Sequence, residues 1–294
     1  MSAASALRGR RVFVTGARGF LGRHLSGALA ECGADVRAYA GDVTDRASLR
    51  SALTAANPDV VFHLAAFGTT SNQRDAARMR AVNVGGVENL WAALDGVSAR
   101  LVQTGTCAEY APKNGPLAED DPCEPESDYA RTLHDAVTHS LSMAKSSGRE
   151  TVILRPFGPY GPGDRPERLI PFVIRGLLGV GRVPVTAGRQ RRDFSYVDDH
   201  VSAFLAAATA PLLQTAAVYN VGSGCPISVR DIVERIAKLV GGDALSRVDF
   251  GAETSRPDDR ADRYADITAA KKDLGFAPSV SLDDGLMRTI GAMR

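Results

Sequence analysis

Short apolar runs alternate with amphipathic segments along the first half of the chain. Residues 11–15 and 59–64 are apolar and rich in β-branched side chains, which is typical of buried strands. Residues 20–32 instead repeat apolar positions at helical spacing. The pattern gives strands at 11–15, 36–40, 59–64, 100–104 and 151–154, and helices at 20–32, 47–56, 82–94 and 128–145. This alternation predicts right-handed βαβ units and a parallel sheet covered on both faces.

The pattern changes after Arg155. Prolines and glycines crowd residues 156–171, which excludes a long regular element there. Further on, the pattern predicts helices at 198–210 and 229–240 and a strand at 217–221. We therefore expect an α/β protein with a doubly wound parallel sheet and a smaller, less regular C-terminal α/β lobe.

The composition argues against several classes of binding partner. The chain has 294 residues, 44% of them hydrophobic and 23% charged, and its formal net charge is +1. This balance creates no field for nucleic acid or an anionic membrane, and no segment approaches the ~18 apolar residues of a membrane span. The four cysteines lack metal-binding spacing, and residues 1–11 lack the apolar core of a signal peptide. We expect a cytoplasmic protein that binds no nucleic acid, no membrane and no metal.

Glycines mark the first junction between a strand and a helix. Gly16, Gly19 and Gly22 follow the pattern G-x-x-G-x-x-G directly after the first strand. The first two glycines permit a tight turn and a close approach to a pyrophosphate, and the third permits close helix packing. The helix N-terminus adds amide donors and a positive dipole, so the junction predicts a Rossmann dinucleotide-binding domain. The predicted domains are 1–155 with 190–224 for the dinucleotide, and 156–189 with 225–294 for the substrate lobe.

Four segments, taken in order, resemble a known family. They are the turn at 15–22, Gly-Asp-Val-Thr-Asp at 41–45, His-Leu-Ala-Ala at 63–66 and Asn-Val at 83–84. As a set they resemble the extended short-chain dehydrogenase/reductases, and more narrowly the NAD-dependent epimerase/dehydratase family that acts on nucleotide sugars. The resemblance runs from Val12 to about Gly285. It implies that residues 42 and 43 lie against adenine and that residues 64–66 line the cofactor groove.

The turn and the resemblance together define a predicted cofactor site. The strand ending at Ala40 lacks the acidic residue that would hold a free ribose 2′-hydroxyl, whereas Arg18 and Arg37 are close enough in sequence to clamp a 2′-phosphate. The cofactor is therefore NAD or NADP, and the two arginines favour NADP. The predicted cofactor-binding residues are Gly16, Arg18, Gly19, Phe20, Leu21, Gly22, Arg37, Asp42, Val43, Leu64, Ala65, Ala66, Tyr129 and Pro156.

The resemblance places the catalytic tyrosine at Tyr129 and an assisting hydroxyl at Thr106. Hydride transfer from a sugar alcohol needs a base for the hydroxyl proton. In the family, a lysine one helical turn after the tyrosine lowers the pKa of the tyrosine, but Leu133 occupies that position here. A tyrosine with its reference pKa of ~10 is ionised in roughly one molecule in a thousand at neutral pH. Two interpretations stay open: Tyr129 catalyses, or it is a partly buried helix residue without a catalytic role.

The two positions after Thr106 distinguish subclasses of the family. Related 4,6-dehydratases carry an Asp-Glu pair there, or a glutamate at the second position, and this chain has Cys107 and Ala108. A dehydratase of that type is therefore not expected. Some related epimerases use a cysteine, but theirs corresponds to Ala108, so Cys107 is interpreted as a small core residue.

Later segments resemble the substrate side of the family. Residues 154–163 follow its L-R-P-x-N-x-Y-G-P-G pattern, with Gly158 in place of the asparagine that contacts the substrate diphosphate. Residues 191–199 and 255–258 resemble segments whose arginines bind phosphate. Two arginines from distant loops suit a diphosphate, because a guanidinium binds oxyanions in a bidentate manner. The predicted substrate-binding residues are Asn83, Phe157, Arg168, Arg192 and Arg256.

These observations predict an NAD(P)-dependent enzyme that modifies a nucleotide sugar at C4, either as a 4-epimerase or as a 4-ketoreductase. The alternative is a relative that binds the cofactor but has lost the redox reaction, or that performs non-redox chemistry, because Leu133 replaces the lysine. In relatives, the helices corresponding to residues 82–94 and 128–145 form a four-helix interface. The resemblance therefore also implies a homodimer.

Overall fold

The chain follows the alternating order that its apolar pattern predicts. The computed structural model describes residues 3–69, 73–254 and 262–294. In chain order its elements are α1 (Ala3–Leu7), β1 (Arg11–Thr15), α2 (Phe20–Glu31), β2 (Asp35–Ala38), α3 (Arg46–Ala56), β3 (Val60–His63), α4 (Ala76–Arg80), α5 (Gly86–Ala93), β4 (Arg100–Thr104), α6 (Asp128–Ser147), β5 (Thr151–Pro156), β6 (Pro159–Tyr160), α7 (Leu169–Leu178), β7 (Val183–Val185), β8 (Arg191–Asp193), β9 (Ser195–Tyr196), α8 (Val197–Thr209), β10 (Ala216–Val221), β11 (Pro226–Ser228), α9 (Val229–Val240), β12 (Val248–Phe250), α10 (Thr268–Leu274) and α11 (Leu282–Gly291). A π-helical turn, Ala81–Gly85, joins α4 to α5. Across the described ranges, every helix is too short or too polar to cross a membrane.

The central sheet consists of six parallel strands in the order β10-β5-β4-β3-β1-β2. The chain leaves β1 outward to β2 and then returns through α3, so that β3 pairs with the other side of β1. The strand order therefore reverses between β1 and β3. In open α/β sheets, ligands bind outside the carboxyl ends of the strands at such a point. β2 forms the outer edge, and residues 39–45 link it directly to α3.

Two apolar cores lie on opposite faces of the sheet. Val12 and Val14 of β1 belong to one core, together with Leu25 of α2 and Phe204 of α8. Phe13, between the two valines, belongs to the other core, which α3, α5 and α6 cover. Burial on both faces explains why the strands have continuous apolar runs rather than alternating ones. The predicted doubly wound parallel sheet is confirmed.

The lobe has a core of its own, built by α7, α9 and α11. Three short strand pairs, β6–β9, β7–β12 and β8–β11, brace it. The chain crosses the domain boundaries that the sequence predicts. β8 and β9 lie in the predicted dinucleotide domain but pair with lobe strands, and Ile267, Leu274 and Phe276 lie in the predicted lobe but pack into the core of the sheet.

α7 begins inside residues 156–171, where the sequence predicts irregular structure. Pro171 is the third residue of this helix. The first turn of a helix tolerates proline, because its missing N–H would have no partner inside the helix. The prediction treated Pro171 as a helix breaker, and the structure corrects this.

Candidate active site

A cavity of about 1370 Å³ opens where the strand order reverses. Its walls are the glycine turn after β1, the loops after β3, β4 and β5, and lobe residues around α7 and β8. Every predicted catalytic and cofactor-binding residue except Arg37 lines this cleft, as do Phe157, Arg168 and Arg192 from the predicted substrate side. The fold therefore brings motifs that are distant in sequence into one cleft.

The glycine turn is pressed against the loop after β3. Gly16 has a φ of +70°, and a Cβ atom on it would lie 2.5 Å from the carbonyl carbon of Leu64. A Cβ atom on Gly22 would lie 2.2 Å from the carbonyl oxygen of Gly16. Gly19 is the N-cap of α2, whose first amides have no partner inside the helix. Exposed backbone at a helix N-terminus is what a pyrophosphate needs, so these residues fit a dinucleotide.

The two predicted clamp arginines separate at the outer end of the cleft. Arg18 lines the cleft and donates from Nη2 to the carbonyl oxygen of Ala40 at 2.9 Å. Arg37 lies on the exposed edge of β2, with its Nε 3.3 Å from a carboxylate oxygen of Asp35. It lines a neighbouring surface pocket that shares Tyr39, Ala40 and Gly41 with the cleft. Arg18 is therefore the nearer of the two to the cleft, and the two-arginine clamp stays a prediction.

The link between β2 and α3 forms the outer rim of the cleft. Asp42 is exposed there and accepts two hydrogen bonds from Thr44, each at 2.9 Å. These bonds hold the pKa of the Asp42 carboxyl below its usual range. Val43 is buried beside it. An exposed carboxylate next to a buried apolar side chain fits the predicted contact with adenine.

Thr106 and Tyr129 meet in the middle of the cleft. Thr106 is the N-cap of a 3₁₀ turn, Cys107–Glu109, and Tyr129 is the second residue of α6. Burial raises the pKa of the Tyr129 phenol to about 12, although Arg168 and a hydrogen bond with Thr106 act to lower it. Leu133, one turn further along α6, is 4% exposed and does not line the cleft. The predicted pair is therefore assembled, with a phenol that keeps its proton at neutral pH.

Cys107, interpreted from the sequence as a small core residue, also lines the cleft. It is half-buried, and one side of it packs against the core of the sheet. Burial raises the pKa of its thiol, while the charges of Arg263, Arg192 and Arg168 act to lower it. Three guanidinium groups therefore lie near the part of the cleft that holds Thr106.

Arg192 and Arg263 are neighbours across a short stretch of parallel backbone pairing. Both line the cleft, and Arg168 reaches it from the N-terminus of α7. Guanidinium groups bind phosphate oxygens in a bidentate manner, so this wall fits phosphate groups. Sequence reasoning missed Arg263 because nothing local in the chain reports its pairing with Arg192. Arg256, the other predicted phosphate ligand, lies outside the described residues.

Gly158 explains one departure from the family pattern. Its φ is +42°, and a Cβ atom on it would lie 2.0 Å from the carbonyl oxygen of Asp193. The asparagine of the family cannot occupy this position without a shift of the backbone. Phe157, just before it, lines the cleft although it is only 1% exposed. The backbone at 157–158 therefore forms this part of the wall.

Asn83, predicted to bind the substrate, lies behind the lining of the cleft. It lies in the π-helical turn and is 1% exposed. Its Oδ1 accepts from the Phe67 N–H at 2.8 Å, and its Nδ2 donates to the Phe67 carbonyl oxygen at 3.0 Å and to Thr132 Oγ1 at 2.9 Å. Asn83 thus ties the loop after β3 to α6 and holds the wall of the cleft in place.

The fold and the cleft define an extended short-chain dehydrogenase/reductase. Residues 12–222 match the model of the NAD dependent epimerase/dehydratase family, and the chain belongs to that family. A dTDP-glucose 4,6-dehydratase of Streptomyces griseus is 34% identical over 256 residues, which are 85% of this chain and 75% of the relative.

Solved structures agree with this assignment. The UDP-glucose 4-epimerase of Thermotoga maritima, solved with UDP-glucose, is 25% identical with a TM-score of 0.88, over 96% of this chain and 98% of that one. RMD from Pseudomonas aeruginosa, solved with NADPH, is 26% identical with a TM-score of 0.86, over the same shares of the two chains. The chain is therefore a member of a class of enzymes that use a nicotinamide dinucleotide on nucleotide sugars.

Proposed function

We propose that the protein reduces the 4-keto group of a nucleotide sugar, with NADPH as the reductant. The observation that carries the proposal is the combination of Tyr129 and Leu133. The phenol lies in the cleft beside Thr106, and a buried leucine replaces the lysine that would ionise it. With no ammonium one turn along the helix, and with burial raising its pKa to about 12, the phenol keeps its proton. Reduction of a ketone is the direction of the reaction that needs such an acid.

The residues of the chain take simple roles in this reaction. When bound, the reduced nicotinamide supplies a hydride to C4 of the sugar. The Tyr129 phenol donates its proton to the C4 oxygen as that oxygen gains charge, and the Thr106 hydroxyl supplies a second hydrogen bond. The tyrosinate then regains a proton from water, which its high pKa favours. Carbon has gained a hydride and oxygen a proton, so the product is the alcohol.

A 4-epimerase is the second candidate, because a UDP-glucose 4-epimerase shares the fold at a TM-score of 0.88. Its first half-reaction oxidises the sugar, so Tyr129 would begin as a base. With a pKa of about 12, roughly one phenol in 10⁵ is ionised at pH 7. The reductive reaction starts from the form that dominates, which supports the ketoreductase.

The turn at Thr106 offers no carboxylate to the cleft within its described residues, 106–109. Cys107 lines the cleft but is not a carboxylate, the side chain of Ala108 has no acidic group, and the carboxylate of Glu109 is completely buried outside the cleft. A 4,6-dehydration would need a base here for the proton at C5. This supports a reductase over a dehydratase, although a 4,6-dehydratase is among the relatives.

The cleft also supports the choice of cofactor and substrate. Arg18 at the outer end favours the 2′-phosphate of NADPH, and β2 does not end in the acidic residue that would hold a free ribose 2′-hydroxyl. Arg168 and Arg192 would hold the substrate diphosphate, together with Arg256. On the resemblance alone, we also propose a cytoplasmic homodimer that pairs through α5 and α6, which sedimentation at micromolar concentration tests.

The first experiment mixes the purified protein with NADPH and a panel of nucleotide 4-keto sugars and follows the absorbance of reduced nicotinamide. We expect turnover with one of them, and a loss of about 10²–10⁴-fold in kcat for Tyr129→Phe with little change in NADPH affinity. Tyr219→Phe is the matched control, because Tyr219 lies on β10 outside the cleft and bonds Asp273.

Other results would assign the protein differently. Conversion of a 4-hydroxy sugar to its epimer without net consumption of NADPH would show the 4-epimerase. Tight NADPH binding with no turnover of any nucleotide sugar would favour a relative that binds the cofactor without redox chemistry.

A further inference from the structure

Behind the cleft, one buried carboxylate joins three elements of the active site. Glu109 is 0% exposed and ends the 3₁₀ turn that Thr106 caps. Its Oε1 accepts the backbone N–H of Thr106 at 2.8 Å, and its Oε2 accepts from Nη2 of Arg155, on β5, at 2.9 Å. His134 of α6 brings Nδ1 to 3.5 Å from the same Oε2. The carboxylate therefore touches the turn that carries Thr106 and the helix that carries Tyr129.

The surrounding chain is fitted to this carboxylate. A Cβ atom on Gly105 would lie 2.6 Å from Glu109 Oε1, so glycine at the end of β4 leaves room for it. Glu109, Cys123 and His134 could together hold a metal ion. However, Nη2 of Arg155 already lies 2.9 Å from Glu109 and 3.3 Å from Cys123 Sγ, so the cation that balances Glu109 is a guanidinium. Glu109 does not line the cleft and cannot touch a substrate.

The contact with Thr106 bears on the reaction because Thr106 acts through its hydroxyl. Thr106 Oγ1 accepts the backbone N–H of Ala108 at 3.2 Å, while Glu109 holds the N–H of Thr106 itself. The two bonds form a capping box, which fixes both the backbone and the side chain of the threonine. The O–H of Thr106 is then left to point into the cleft, which Thr106 and the Tyr129 phenol both line.

We propose that Glu109 is a positioning residue for the reductase reaction. It holds the Thr106 turn through a hydrogen bond and lies against His134 of α6, and so keeps the Thr106 hydroxyl in place beside the Tyr129 phenol. The expected effect of Glu109 on kcat rests on the proposed function. The hydrogen bond from the Thr106 amide to Glu109 does not depend on that function, so the hydrogen bond and the kinetic effect can be tested separately.

Hydrogen exchange at the Thr106 amide, read by NMR of the labelled protein with NADPH, tests the contact without turnover. In Glu109→Gln a side-chain oxygen still accepts this N–H, so exchange should stay within about threefold of the wild type. In Glu109→Leu the amide loses its acceptor, and exchange should be about tenfold faster. Because this change leaves Arg155 as an unpaired buried cation, the double variant Glu109→Leu/Arg155→Leu is measured beside it.

Steady-state kinetics with the keto sugar test the consequence. We expect Glu109→Leu to lower kcat by about 10- to 100-fold with KM and NADPH affinity nearly unchanged, and Glu109→Gln to recover most of kcat. His134→Leu should lower kcat several-fold, whereas His139→Leu, the matched change on the same helix, should not.

Unchanged Thr106 exchange in both leucine variants overturns the proposal. A fall in kcat accompanied by an equally large rise in KM and an equally large loss of NADPH affinity also overturns it, because that result indicates general damage to the fold. If the wild type reduces no keto sugar, the proposed function fails, and the Thr106 exchange still decides whether Glu109 fixes the turn.

Discussion

Leu133 leaves Tyr129 without a cation one helical turn further along α6. It is buried, at 4% exposure, at the position where the family pattern has a lysine. After burial, the largest influence on the Tyr129 pKa is the charge of Arg168, which comes from the lobe rather than from α6. The ionisation of the phenol is therefore tuned from the substrate side of the cleft. A bound diphosphate that pairs with Arg168 would weaken this influence and keep the phenol protonated.

Leu133→Lys should give the reaction a new upper pH limit. In the wild type, kcat/KM for reduction should stay flat to at least about pH 9, because the acid has a pKa of about 12. An ammonium one turn away favours tyrosinate and lowers this pKa, so the acid is lost earlier as pH rises. We expect the rate of the variant to fall by half between about pH 7 and 9. Leu133→Met, which adds no charge, should stay flat, and an equally flat Leu133→Lys profile would contradict the role of Tyr129 as the acid.

At the scale of elements, α2 shows two opposite uses of glycine. Gly22 is buried where the helix crosses the glycine turn, and a Cβ atom on it would lie 2.2 Å from the carbonyl oxygen of Gly16. Gly27, on the same helix, is exposed and has open space around the same position. The first glycine is required by the close approach of two backbones, and the second is not.

This contrast predicts opposite effects of one substitution. Gly22→Ala should shift the turn, lower NADPH affinity at least about tenfold and destabilise the fold by roughly 1–3 kcal/mol. Gly27→Ala should stabilise the fold by about 0.5–1 kcal/mol, because alanine loses less entropy in a helix, with no effect on NADPH affinity. Urea unfolding and fluorescence titration with NADPH measure both. If the two variants had the same stability and the same NADPH affinity, the glycine turn at Gly16 could shift to make room for a Cβ atom on residue 22.

Elements were predictable from the sequence where local pattern decides them. β1 and β3 are buried on both faces, so their apolar runs stand out, and the glycine turn locates the cleft. The lobe strands are two or three residues long, too short to show a period of two. The sequence does not show contacts between distant residues: Asn83 bonds Phe67 and Thr132, and Arg263 lies beside Arg192 only in the fold.

At the scale of the whole molecule, two buried histidines make the free energy of unfolding depend on pH in the acidic range. His63 joins β1 to β3 through a 2.8 Å hydrogen bond between its Nδ1 and Thr15 Oγ1. His200 joins α8 to β9 through a 2.7 Å bond between its Nε2 and Ser195 Oγ. Burial lowers the pKa of His63 from 6.5 to about 4 and that of His200 to about 3. Both are neutral in the folded protein, while the unfolded chain binds protons at these sites below pH 6.5.

Stability should therefore fall as pH falls from about 6.5 towards 4. Each histidine contributes up to about 1.4 kcal/mol per pH unit in this window, because the unfolded state binds one more proton. Buried carboxyls whose pKa is raised, such as Asp193 and Asp164, act in the opposite direction, so comparison with variants isolates the histidines. His63→Asn and His200→Gln retain a polar atom near the bonding nitrogen and should each flatten the slope of unfolding free energy against pH. A wild-type slope in either variant would mean that the pKa of that histidine is the same in the folded and unfolded states.

The place of β2 at the outer edge of the sheet has a practical consequence. In the link at 39–45, Ala40, Gly41 and Asp42 are exposed at the rim where adenine is expected. A dinucleotide tethered to a bead through its adenine amino group could enter nicotinamide first, with the tether leaving over this rim. The native chain would then be purified by affinity on immobilised NADP and eluted with the free nucleotide, and misfolded chains would pass through.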